Sequence, residues 1–169
     1  MINIQKKISP EASSIWKILE SVTDPEIPVL TIIDLGIIKK INITDEEIEV
    51  VITPTYSGCP AMDMITMNIR AALNDAGYKK VTVKSVLSPA WTTDLMSEEG
   101  KNKLKEYGIA PPRKSSRLNK MLFAEEEPIT CPQCNSTDTR VISEFGSTAC
   151  KSLHQCNTCK EPFDYFKCH

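Results

Sequence analysis

Apolar positions along the chain follow two rhythms, and these lay out most of its elements. Ile15, Ile18, Leu19 and Val22 recur at helical spacing. Ser9 suits the cap of the helix they mark, Pro10 its first position, and Glu11 the positive end of its dipole. Asp24-Pro25-Glu26-Ile27-Pro28 ends it, because prolines so close together cannot continue a helix. Ile48, Val50 and Ile52 alternate with Glu49 and Val51, the two-residue period of a strand. Residues 37–43 and 48–54 therefore predict a hairpin, with Thr44-Asp45-Glu46 as its turn. Residues 53–60 form a loop. After it, Met62, Ile65, Ile69, Ala72 and Ala76 return to helical spacing, and Gly77 is placed to close that helix. Residues 80–87 predict a further strand. Ser97 to Tyr107 predict a last helix, ended by Gly108 and then Pro111-Pro112.

The order helix, strand, strand, helix, strand, helix predicts an α/β (α+β) fold. Its sheet is small, three- to four-stranded, with helices on one face. Residues 1–112 are assigned to this domain. Residues 113–127 carry mixed charge and run into Glu125-Glu126-Glu127-Pro128, the character of a solvated linker. Residues 128–169 are left as a second, much smaller unit.

Composition changes this picture in one respect. The chain has 169 residues, of which 41% are hydrophobic and 25% charged, as expected of a folded globular protein. The formal net charge of −2 offers no bulk attraction to nucleic acid or to an anionic membrane. No apolar run is long enough to span a bilayer, and the first residues lack the pattern of a secretory signal. The informative feature is cysteine. Of 7 in the chain, Cys59 alone precedes residue 131. Without a secretory signal, so many cysteines point to metal or thiol chemistry.

Cys131-Pro132-Gln133-Cys134 and Cys156-Asn157-Thr158-Cys159 are two Cys-x-x-Cys knuckles. Each presents two thiolates from a tight turn, and two such turns complete the tetrahedron of structural zinc. Thr139–Phe145 and Phe163–Phe166 supply strands, the layout of a zinc ribbon. About forty residues bury too little surface to fold unaided, so a metal staple is expected. Four thiolates also suit a [2Fe–2S] cluster or a single iron, and a redox dithiol is a further reading. Cys150 and Cys168 remain over, either as small buried residues or as accessory thiols forming a dithiol or a transient metal position. His154 and His169 are expected at the exposed surface, since no second ligand pattern surrounds them.

Cys59 carries the chemistry of the first domain. Pro60 suits the first position of the second helix, which makes Cys59 its N-cap. Backbone N–H groups and the helix dipole there favour thiolate over thiol. Gly58 lets the loop pass close to a ligand. Asp24 and Glu26 are either turn and cap residues or carboxylates for a metal held by Cys59. Trp91 is expected to be a packing anchor. No glycine-rich phosphate loop is present, and the first domain has no histidine, so no conventional catalytic constellation can be assembled.

Together these motifs resemble a known family. Residues 24–30 (Asp-Pro-Glu-Ile-Pro-Val-Leu), Asp34-Leu35-Gly36 and the cysteine loop Thr53–Met62 are similar to the iron–sulfur assembly domain of SufT-like proteins. Pro89–Asp94, Tyr107–Pro112, Ser143–Lys151 and Glu161–Cys168 narrow the resemblance to the PaaD (PaaJ) family, associated with ring-1,2-phenylacetyl-CoA epoxidase. It covers about residues 12–168. The resemblance implies a bacterial, cytoplasmic accessory protein of aerobic phenylacetate degradation that is not itself an enzyme. It would act beside a di-iron oxygenase and an iron–sulfur reductase, or with iron–sulfur assembly machinery. It also implies Cys59 as a transient cluster ligand with Asp24 and Glu26 nearby; a homodimer would present two such thiolates to one cluster. The alternatives are a structural or regulatory oxygenase subunit that docks through its ribbon, and a thiol oxidoreductase using Cys150 and Cys168.

Overall fold

The computed structural model describes residues 10–44, 47–113 and 128–167. Helix α1 spans Pro10–Leu19 and buries Ile15 and Leu19. It stops before Val22, which is buried from the following turn rather than from the helix. Ser9 and the turn residues Asp45 and Glu46 lie outside the described residues. Strands β1 (Ile38–Ile43) and β2 (Ile48–Ile52) form the expected antiparallel hairpin. Ile48, Val50 and Ile52 all face inward, as their alternation requires.

Helix α2 (Ala61–Asp75) buries Ala61, Ile65, Ile69 and Leu73. Leu73 replaces Ala76 at the end of the expected stripe, because the helix closes at Ala76 and Gly77 turns the chain with φ 98°. Strand β3 (Val81–Ser85) then pairs parallel to β2, Ile48 opposite Val81 and Val50 opposite Val83. A parallel partner needs a crossover, and α2 supplies it. The sheet order is β1-β2-β3. Beyond it, a short 3-10 turn at Thr93–Leu95 leads into helix α3 (Glu98–Glu106), whose Ser97 cap accepts from the Gly100 N–H at 2.8 Å.

Asp34 ties α3 to the loop before β1. Its carboxylate accepts from Thr31, Ser97 and Lys103 at 2.9–3.1 Å. Gly36, two residues on, has φ 65°, and a Cβ there would lie 2.1 Å from the Leu95 carbonyl oxygen. Only glycine fits. The Asp34-Leu35-Gly36 motif is thus explained by packing.

Strand β4 (Ile109–Ala110) follows α3 and belongs to a second sheet. That sheet holds β5 (Thr139–Ser143), β6 (Lys151–Cys156) and β7 (Pro162–Phe166) in the order β4-β7-β6-β5. β4 and β7 are parallel, Ile109 opposite Asp164 and Ala110 opposite Tyr165. The ribbon also enters the main core: Phe166 and Cys150 pack with Trp91, Ile109 and Leu104 in the cluster that contains α1, α2 and the first sheet. Trp91 is buried, donates its indole N–H to the Leu35 carbonyl at 2.8 Å and meets Phe166 edge to face at 6.2 Å. No helix among the described residues is long and apolar enough to cross a membrane.

His154 corrects the expectation of an exposed residue. It is 3% exposed, stacks on Phe163 and shares a hydrogen bond with Ser152 at 2.9 Å. Alternation along β6 turns it inward, and burial lowers its pKa. Cys168 and His169 lie outside the described residues.

Candidate metal and thiol sites

The two cysteine knuckles converge. The sulfurs of Cys131, Cys134, Cys156 and Cys159 all lie within 4.8 Å of one another. Cys131 and Cys159 are 3.7 Å apart, Cys134 and Cys156 3.5 Å. A tetrahedral zinc with bonds of about 2.3 Å would hold its sulfurs about 3.8 Å apart, so the donor set fits. The knuckles are built alike. Each is closed by a residue of positive φ, Asn135 at 61° and Lys160 at 67°, whose N–H returns to the first cysteine's carbonyl at 3.0 Å. The backbone N–H of Cys159 also points at the Cys156 sulfur, which chiefly draws that thiol down to about 6. The four thiols could thus hold a metal ion with every ligand drawn from the protein.

Cys150 is not part of it. Thr139 opposite Cys156 marks the metal end of the β5–β6 hairpin, and Ser143 opposite Leu153 the other. Cys150 sits just beyond that far end, about 20 Å of extended strand from Cys156. The loop that carries it is held tightly. The Gly146 N–H donates to the Lys151 carbonyl at 2.7 Å, Ser147 to Asp164 at 3.0 Å, and the Lys167 N–H to the Cys150 carbonyl at 3.0 Å. The loop approaches the first domain, where Cys150 Sγ donates to Glu26 Oε2 at 3.6 Å and meets Thr148 Oγ1 at 3.0 Å.

Cys59 also neighbours Glu26. Pro60, not Cys59, takes the N-cap position, one residue later than expected. The sulfur is still close enough to accept from the Ala61 N–H, and it is hydrogen-bonded to Tyr56. The expectation of a standing thiolate is overturned. Burial pushes the Cys59 thiol up, the Ala61 N–H opposes this, and the carboxylates of Glu26 and Asp24 add to it. The donor at the helix start does not outweigh partial burial beside two carboxylates. Cys59 is half-buried, and its surroundings favour the thiol over the thiolate.

Asp24 performs the turn role: its Oδ1 accepts from the N–H groups of Glu26 and Ile27, both at 2.8 Å. Burial raises its own pKa against those bonds. Glu26 is thereby aimed at the junction, where it also borders a cleft of about 640 Å³ shared with Tyr107, Phe145 and Lys151. Tyr56, Thr148 and Lys151 were not singled out from the sequence as site residues. Tyr56 had a signal, since it lies three residues before Cys59, whose N–H donates to its carbonyl at 3.3 Å. Lys151 is buried and lies 3.7 Å from Asp164; nothing in its local pattern announces that.

Comparison with known proteins finds a family model for each of two parts of the chain. Residues 12–85 match the family model of an iron–sulfur cluster assembly protein, and residues 115–167 that of a PaaD zinc β-ribbon domain. A protein of Escherichia coli (strain K12), named for a 1,2-phenylacetyl-CoA epoxidase subunit, is 48% identical over 160 residues, 94% of each chain. An Fe–S protein maturation auxiliary factor of Porphyromonas gingivalis is 38% identical, over 50% of this chain and 82% of its own. Among solved structures, a DUF59 domain from Bacillus anthracis matches with TM-score 0.51 and 26% identity, covering 54% of this chain and 89% of that one.

Proposed function

Because the chain belongs to the PaaD family of 1,2-phenylacetyl-CoA epoxidase subunits, we propose that it is an accessory protein of such an epoxidase system, assisting iron–sulfur cluster assembly or delivery to an oxygenase component. In this reading it is not itself catalytic, works in the cytoplasm, and meets either the oxygenase components or the assembly machinery. The observation that carries it is Cys59: a half-buried thiol at the start of α2, bonded to the Ala61 N–H and flanked by Asp24 and Glu26, inside the segment that matches the assembly family. One thiolate with carboxylates nearby makes an incomplete, exchangeable ligand set, which suits cargo held briefly. The ribbon cysteines make a closed set, which suits resident zinc that stabilises the fold and takes no part in transfer.

Cys59→Ser is expected to leave folding and ribbon zinc unchanged and to lower phenylacetyl-CoA epoxidase activity in cells. Full activity in that variant would remove the proposal. A docking role for the ribbon is the second reading, favoured by Val141, Ile142 and Phe145, which are 50–66% exposed. Stoichiometric co-purification with the oxygenase, indifferent to Cys59, would be its mark.

A further inference from the structure

Among the described ribbon cysteines, Cys150 alone stands apart from the four-sulfur cluster. It is 5% exposed, and its sulfur is directed at a carboxylate of the other module. Three separate loops meet here. One brings Asp24 and Glu26, one brings Tyr56 and Cys59, and the ribbon hairpin brings Thr148 and Cys150. Tyr56 registers them together: burial first, then the charges at Cys59, Glu26 and Cys150, push its hydroxyl up to about 12. A buried thiol beside a carboxylate oxygen is a poor packing choice where an alanine or valine would fill the space without placing a polar group.

We propose that Cys150 joins Cys59 and Glu26 as ligands to one ferrous ion, so that a single chain holds its iron cargo between its two modules. This rests on the cargo-handling reading of Cys59 and adds the ribbon to that site. Two thiolates and one carboxylate suit ferrous iron, and three protein ligands leave positions for sulfide or for a client's own side chains. On binding, each thiol passes its proton to solvent and its sulfur lone pair bonds the iron; the metal stays ferrous. Asp24 holds the turn that aims Glu26, using one oxygen on two backbone N–H groups. Lys151 adjoins Cys150 in sequence and acts on Asp24, so a positive group faces the anionic ligand set.

The test is anaerobic titration of the full-length, zinc-filled protein with ferrous ion alone, read against a competing chromophoric chelator and by thiolate-to-iron absorption. The parent is expected to bind one ion per chain. Cys150→Ser should weaken binding at least about tenfold and roughly halve the absorption, with zinc content and far-ultraviolet dichroism unchanged. Glu26→Gln, which leaves both thiols in place, should also weaken binding. If Cys150→Ser binds as tightly as the parent while Cys59→Ser does not, the two-module site is wrong and the role of Cys59 stands. If the parent binds no ferrous ion, or Cys59→Ser binds as well as the parent, both readings fall. Should Cys150→Ser fail to fold, Glu26→Gln decides: unchanged affinity overturns the proposal.

Discussion

Asp34 illustrates how a single buried carboxylate can hold two elements together. Burial alone would raise its pKa, but Lys103, the Thr31 backbone and side chain and Ser97 all bond the charged form, and its carboxyl is held below the ordinary value. The sign follows. A group whose pKa is lower folded than unfolded adds stability that is complete above its unfolded value, about 4, and is lost as pH falls through the folded value. Asp34→Asn removes the charged acceptor shared by Thr31, Ser97 and Lys103, although Lys103 keeps Glu99, and should cost about 1–2 kcal/mol at pH 7. Denaturant midpoints of parent and variant, compared from pH 7 downward, should draw together below about pH 4. A constant gap across that range would show that the carboxylate's charge is immaterial. This residue was legible in the sequence only as part of a family motif. Its partners Ser97 and Lys103 lie far along the chain, and no local pattern connects them. Cys59 is the converse case. Its position was legible, but its protonation was not, because that depends on carboxylates folded in from residues 24–26.

At the scale of elements, legibility followed local periodicity. Helix α2 and the β1–β2 hairpin stand close to where the apolar rhythm put them, since each repeats its pattern over several turns or alternations. Strand β6 was missed. Lys151-Ser152-Leu153-His154-Gln155-Cys156 has no β-branched residue, and its strand character comes from pairing on both sides with β5 and β7. Strand β4 was missed for a related reason: two residues carry no period, and only β7 defines it. These pairings lead to a prediction about the ribbon. Its own cluster of buried residues is small, Ala110, Cys131, Cys156 and Phe163, so most of its order should depend on the metal. Stripping the metal with a strong chelator should speed amide exchange in β5 and around both knuckles by orders of magnitude. Strands β1–β3, covered by their own helices, should lose less protection. Equal loss of protection in both sheets would show that the metal supports the whole chain directly, not the ribbon.

At the scale of the molecule, the question is whether two modules fold as one. The charged run at residues 113–127 suggested a tether between independent units, and residues 114–127 lie outside the described structure. The contacts across the junction are nonetheless those of a shared core. Phe166, on the last ribbon strand, is 2% exposed and packs edge to face on Trp91, which is itself bonded to the Leu35 carbonyl beside the first sheet. A core phenylalanine cut to alanine costs about 3–5 kcal/mol. For a chain of this size that is about 10 °C or more in midpoint. Phe166→Ala should therefore do more than destabilise the ribbon that carries it. In the parent, heat release of the ribbon metal and the opening of β2 amides should coincide, because Phe166 and β4 couple the two sheets. In the variant the metal should be released at a lower temperature, with β2 opening later as a separate event. Val141→Ala, at a site 53% exposed on the outer strand, should leave the transitions together. If the parent already showed two separate transitions, the junction would be a loose contact. Cys150 would then reach Glu26 only part of the time, and a site spanning the two modules would hold iron weakly whatever its ligands.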